Sequence, residues 1–142
     1  MKKNLTSFCS ICIFSFCCFL GTAFAAPNNP QIRNCQNLQG EFLVAQNNQD
    51  QVGLCKFDSA YVGSIDLLQF KDSGVSVESI QAYRDHARSC EPYGQLKKIQ
   101  ILNQTEQLEF CAFQDGSLML NSTLEAGINA PANHLLNQAL GL

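Results

Sequence analysis

Cys35, Cys55, Cys90 and Cys111 are the side chains best equipped for chemistry in this chain. Cys55 follows Cys35 by 20 positions and Cys111 follows Cys90 by 21, and the later member of each pair opens a Cys-x-Phe phrase, Cys55-Lys56-Phe57 and Cys111-Ala112-Phe113. A thiol can ligate a metal, attack as a thiolate or be oxidised to a disulfide. His86 precedes Cys90 by four positions, the spacing at which two side chains share a helix face and could form a metal or nucleophile pair. Either role needs a free thiolate, which an oxidising compartment and a ready cysteine partner would remove.

The amino terminus points to such a compartment. Lys2 and Lys3 precede an apolar run from Phe8 to Leu20 and the small-residue phrase Ala23-Phe24-Ala25, the layout of an export signal spanning residues 1–25 and cleaved near Ala25. The run is shorter than the roughly 20 residues a membrane span needs and is interrupted by Ser10 and Ser15. Cys9, Cys12, Cys17 and Cys18 follow Phe8, Ile11, Phe16 and Cys17, so a lipid-attachment site is not indicated. These four leave with the signal, and the even remainder reads as disulfides in a periplasmic or secreted protein. Four cysteines allow three pairings; the matched spacings favour Cys35 with Cys55 and Cys90 with Cys111. Each bridge would close a loop of about 20 residues and contribute on the order of 3 kcal/mol.

The formal net charge is −3 and becomes more negative without Lys2 and Lys3, which argues against nucleic acid and anionic lipid as partners. No Gly-x-Ser-x-Gly, His-Glu-x-x-His or phosphate-cradling glycine loop is present. Asp58 and Asp115 could be drawn as an acid/base pair, but each sits at an expected turn, where an aspartate bonds its own backbone. Tyr61, Tyr83 and Tyr93 read as half-buried rings with hydroxyls at the surface, and His134 as solvated. The expectation is a non-enzyme with no cofactor and no metal.

The elements that position the cysteines repeat. Asn29 suits a helix cap before Pro30, and Gly40 a left-handed stop, which places Cys35 in the last turns of a short helix. Glu41–Ala45 and Val52–Phe57 read as strands of a hairpin, with Cys55 and Phe57 sharing the face toward the helix and Val52, Leu54 and Lys56 on the other. Tyr61 to Phe70 takes the position of a third strand. In the second copy, Val77, Ile80, Tyr83 or Arg84, Ala87 and Cys90 recur at helical spacing between a Ser76 cap and a Gly94 stop. LKKIQIL and LEFCAF follow as strands, and Asp115-Gly116 turns into a third, SLMLNSTL. The fold class expected is α+β: two tandem units, residues 26–73 and 74–127, each a short helix on a small antiparallel sheet stapled by one disulfide. Residues 128–142 form a tail in which Leu135, Leu136, Ala139 and Leu140 could make a docking stripe. The short polar connection from Lys71 to Ser76 favours close packing of the units, and whether they share one sheet is left open.

Asn29-Pro30, Cys35, Gly40 and Gly53-x-Cys55-x-Phe57, with Cys111-Ala-Phe113-Gln-Asp115-Gly116-Ser117 in the second copy, resemble a small exported bacterial domain family of unknown function that carries a hemolysin label. The two partial matches span most of the chain after the signal. The family's third and fourth cysteines and its tryptophan are missing from both copies, and Gln39 replaces the first glycine of its pair. Joint loss of the two later cysteines implies that they bond each other, which implies in turn that the remaining two pair within each copy. No active site carries over.

The function expected is binding, to an unknown protein or cell-envelope ligand, through the two stapled hairpin turns, with Asn47, Asn48 and Asp50 in one and Asn103, Gln104 and Glu106 in the other. The alternative is a secreted protease inhibitor or other protein-targeting effector; a membrane-active role is less supported, because the stripe near Leu135 is short and lacks a basic face. A nonreducing tryptic map checks the pairing: peptide 34–56 should carry an internal bridge and peptide 89–97 should be joined to the peptide beginning at Ile99. A link between 34–56 and either of the others would break the reading of one bridge per unit.

Overall fold

A computed structural model describes residues 28–48 and 50–142. The expected signal, residues 1–25, lies outside them. In chain order the elements are α1 (Pro30–Asn37), β1 (Glu41–Asn47), β2 (Asp50–Phe57), β3 (Ala60–Gly63), α2 (Ser64–Ser73), α3 (Glu78–Arg84), β4 (Gly94–Ile101), β5 (Gln107–Phe113), β6 (Leu118–Leu120), α4 (Asn121–Ala126), a 3-10 turn (Pro131–Asn133) and α5 (His134–Leu140).

Local chemistry starts α1 as expected: Asn29 accepts a hydrogen bond from the Gln31 amide at 2.9 Å, and Pro30 occupies the first turn. The helix closes one residue earlier than expected. Gln39, not Gly40, takes the left-handed conformation (φ 65°), with Gln39 N–H donating to Gln36 and Gly40 N–H to Cys35. Gly40 serves a different need. A Cβ there would run into Cys55 Sγ, lie 2.9 Å from Phe57 Cε1 and 3.0 Å from Cys35 Sγ. Gly94, at the matching place in the second half, is no helix stop either; it opens β4, where a Cβ would lie 2.7 Å from both Cys111 Sγ and the Ala112 carbonyl oxygen.

The second helix is shorter than its apolar spacing suggested. His86 adopts φ 63°, and the amides of His86 and Ala87 close α3 onto Tyr83 and Ala82. Cys90 therefore lies beyond the helix, and His86 and Cys90 share no helical face. The third strands are shorter too. β3 ends at Gly63 and β6 at Leu120, and the remaining apolar residues continue as α2 and α4, with Leu67 and Leu124 packed inward. At Gly63 the chain turns tightly enough that the Asp66 carboxylate occupies the place of a Cβ.

The strands form one closed antiparallel barrel in the order β1-β2-β3-β6-β5-β4, in place of two separate sheets. Two three-stranded meanders meet along short seams, Val62 against Met119 on one side and Ala45 against Ile101 and Gln46 against Gln100 on the other. Both faces of the barrel are apolar. Leu54, Tyr61, Ile99, Ile101 and Phe110 fill the interior, where Tyr61 and Phe110 meet edge to face at 6.2 Å. Cys55, Phe57, Cys111, Phe113 and Met119 look outward into a second core completed by the helices. The alternation expected along the second strand is the one observed. α5 docks through Leu136, Ala139 and Leu140, anchored by the Asn133 amide on the Thr123 and Gly127 carbonyls.

The disulfides join Cys35 to Cys55 and Cys90 to Cys111. Because each sulfur pair is packed against a bare Cα, Gly40→Ala and Gly94→Ala should each lower stability by about 1–3 kcal/mol, an overpacking cost. Chemical denaturation of the oxidised protein checks this; an unchanged midpoint for both variants would show that the sulfurs can move aside.

Candidate functional site

Helix α3, which walls a surface cleft, is capped from a distance. Val77 precedes α3 without a side-chain cap of its own, and Ser76 is not the cap. The β5–β6 turn supplies the acceptors instead: Asp115 Oδ2 takes the Glu78 amide at 2.8 Å and Ser117 Oγ the Ser79 amide at 2.9 Å. Glu78 Oε2 reaches back to accept from the Gln114 and Asp115 amides. This is the reciprocal logic of a capping box, made between segments far apart in the chain. Asp115 Oδ1 also accepts from the Ser117 amide, the turn role expected for it. Burial would raise the Asp115 carboxyl, but the hydrogen bonds from Ser117 and Glu78 outweigh it and hold the group below its ordinary range.

Between α3 and the segment after Cys90 lies a cleft of about 530 Å³. Gln81, Ala82 and Asp85 line it from α3, and His86 from the left-handed stop. Pro92 and Tyr93 form the opposite wall, above Phe113. A neighbouring cleft of about 300 Å³ shares Pro92, Tyr93, Phe113 and Gln114 and continues to Gly94, Gln95 and Lys97 on β4. Tyr93 stands 57% exposed at their junction. It is placed there by the bridge at Cys90, by the Gly94 amide on the Cys90 carbonyl at 2.7 Å, and by the close seat of Gly94 against Cys111. The two carboxylates of the larger cleft are already braced: Glu78 on backbone amides, Asp85 by the Gln81 side-chain amide at 2.8 Å.

The expected recognition turns fall elsewhere and are not brought together. Because β1 and β4 run antiparallel, the turn after β1 projects past one end of their seam and the turn after β4 past the other. Each turn is braced by a seam glutamine: Gln46 Nε2 donates to the Asn48 carbonyl at 3.2 Å, and Gln100 Nε2 to the Gln104 carbonyl at 3.0 Å. Asn48 and Asn103 take left-handed conformations, and Asp50, Asn103, Gln104 and Glu106 are exposed, whereas Asn47 is half-buried. Tyr83 departs from expectation. It is fully buried, its hydroxyl donates to Asn137 Oδ1 at 2.7 Å, and burial pushes its phenol up to about 12. Tyr61 is nearly buried inside the barrel; His134 is exposed.

One chemistry-bearing group had no sequence signal. Asp66, 5% exposed in the first turn of α2, accepts the Leu118 amide at 2.8 Å beside the β3–β6 seam. Burial raises its carboxyl to about 7, the Leu118 bond opposes the shift, and the charge of Asp115 adds to it. Among the described residues no group of three or more His, Cys, Asp or Glu side chains converges as a metal site requires. Among them also, no helix is long and apolar enough to cross a membrane. No protein-family model, curated protein or solved structure matches the chain.

The raised Asp66 carboxyl makes stability depend on pH. The folded state holds this proton more tightly than the unfolded chain, where the value is near 3.8, so the stabilisation is full below about 4 and is lost as pH rises to about 7. Between about pH 5 and pH 8 the loss should be about 2–3 kcal/mol. Asp66→Asn, which keeps an acceptor for Leu118, should flatten that slope in pH-dependent thermal unfolding; an unchanged slope would assign it to other groups.

Proposed function

We propose that this is an exported, disulfide-stabilised binding protein that acts without catalysis and receives its partner at the cleft beside Tyr93. The observation that carries the reading is the exposure of Tyr93 on a segment that is covalently and sterically fixed. A large aromatic ring held in place at a concave site offers contact area at little ordering cost. The carboxylates of the cleft support the same reading, since Glu78 and Asp85 are engaged in holding α3 and its end. Two disulfides suit an oxidising compartment, periplasmic or extracellular.

Descent from a duplicated unit similar to the hemolysin-labelled domain is supported by the repeated order of helix, three-stranded meander and helix. It is supported further by the matched bridges and by the glycines pressed against them. A lytic role fits less well, because Leu136, Ala139 and Leu140 of α5 are spent in the outer core. An inhibitor working through both hairpin turns at once fits less well too, because those turns leave opposite ends of a seam.

Binding of the labelled protein to arrays of peptides and cell-envelope glycans tests the proposal. Tyr93→Ala removes an exposed ring and should leave the melting temperature unchanged while reducing the bound signal at least tenfold. Signal that survives the substitution in full, or stoichiometric inhibition of a protease panel by both forms, would move the function away from this cleft.

A further inference from the structure

Beyond the clefts runs a strand with one side free. β4 pairs with β5 from Gly94 to Gln100, but on its other side it meets β1 at Gln100 and Ile101, extended by the Leu102 amide on the Val44 carbonyl at 2.9 Å. Strand alternation points the N–H and C=O of Leu96 and Lys98 the same way as those of Leu102. Among the described residues no strand receives them. Leu96 is 50% exposed, Lys97 and Lys98 are exposed, and Tyr93 stands just ahead of the strand.

An open edge of this kind is a template for another strand, and lysines on it ordinarily discourage pairing. They do so because a neighbouring strand would strip water from an ammonium without returning a counter-charge. A partner carrying carboxylates at those positions removes the penalty, so the same lysines that reject a neutral strand select an acidic one. Lys97 and Lys98 are successive and point to opposite faces, so the matching partner has two successive acidic residues with an apolar residue opposite Leu96. Glu109 lies across from Lys98 on β5, yet the ion pair among the described residues is Lys56 with Glu41.

We infer that the free edge of β4, from Gly94 to Lys98, receives an extended acidic segment of a partner protein by strand addition, running on toward the clefts beside Tyr93. This rests on the binding reading above and names the chemistry of its partner. A second copy of this chain is a poorer occupant, because β4 itself carries no acid to set against Lys97 and Lys98.

The probe is acetyl-Thr-Val-Glu-Glu-Val-Thr-amide, whose palindromic core serves either strand direction, titrated into the oxidised, isotope-labelled protein and followed by backbone amide shifts. Shifts centred on Leu96 and Lys98 are expected, with affinity at least tenfold above that of the Gln-Gln analogue and falling with added salt. The paired substitution Lys97→Gln and Lys98→Gln should erase that preference, and a peptide N-methylated at both valines should not bind, since it cannot complete the ladder. Equal binding of the Gln-Gln or N-methylated peptide, no shift at millimolar peptide, or peptide-free self-association at this edge would each overturn strand addition. Were the shifts to fall on Ala82, Ala87 and Tyr93 alone, the cleft would stand as a binding site and the edge would not.

Discussion

In each half a buried disulfide ties a cysteine a few residues ahead of a meander's first strand to the middle strand, and the chain between them passes so close to the bridge that only glycine fits. Cys35 and Cys55 with Gly40, and Cys90 and Cys111 with Gly94, make the same arrangement twice. The geometry fixes how each first strand leaves its preceding segment, and with it the face each meander turns outward. A loop of about 20 residues closed in this way contributes on the order of 3 kcal/mol, a sizeable share of a small protein's net stability.

That constraint makes sense of the barrel. A single helix on a three-stranded meander has two apolar sheet faces and material to cover one. Joining the meanders through Val62 with Met119 and through Ala45 with Ile101 turns one face of each into a shared interior. The outward face is then left for α1 to α5, and both halves contribute to that outer core. The seams are short, so the Leu118 amide on Asp66 and the Tyr61 amide on Thr123 Oγ1 carry part of the connection between halves. Where the β1–β4 seam runs out, β4 is left with an open side, and the clefts beside Tyr93 lie next to it.

The two halves use matching parts for different ends. α1 is capped by its own Asn29, whereas α3 is capped by the β5–β6 turn through Asp115 and Ser117. That exchange with Glu78 binds helix to hairpin and walls the larger cleft. The connection from α3 to β4 is longer than the one from α1 to β1 because α3 stops at Arg84, well before its cysteine, and that connection carries Pro92 and Tyr93 to the surface.

What the sequence determined by itself was whatever near neighbours decide. The Asn29 cap with Pro30, the period-two faces of β2 and β5, and the Asp115-Gly116 turn each depend on residues a few positions apart. The equal cysteine spacings extend that reach through a covalent bond. Tertiary structure alone decided the closure of the barrel, because pairing β1 with β4 and β3 with β6 brings together strands far apart in sequence, whose register no local pattern encodes. It likewise decided that α3 ends at Arg84 and is capped by a remote turn, that the residues after Gly63 and Leu120 coil into helices, and that the two hairpin turns part company. The burial of Asp66 and the placing of Tyr93 beside a free strand edge follow from those distant contacts, which have no counterpart along the chain.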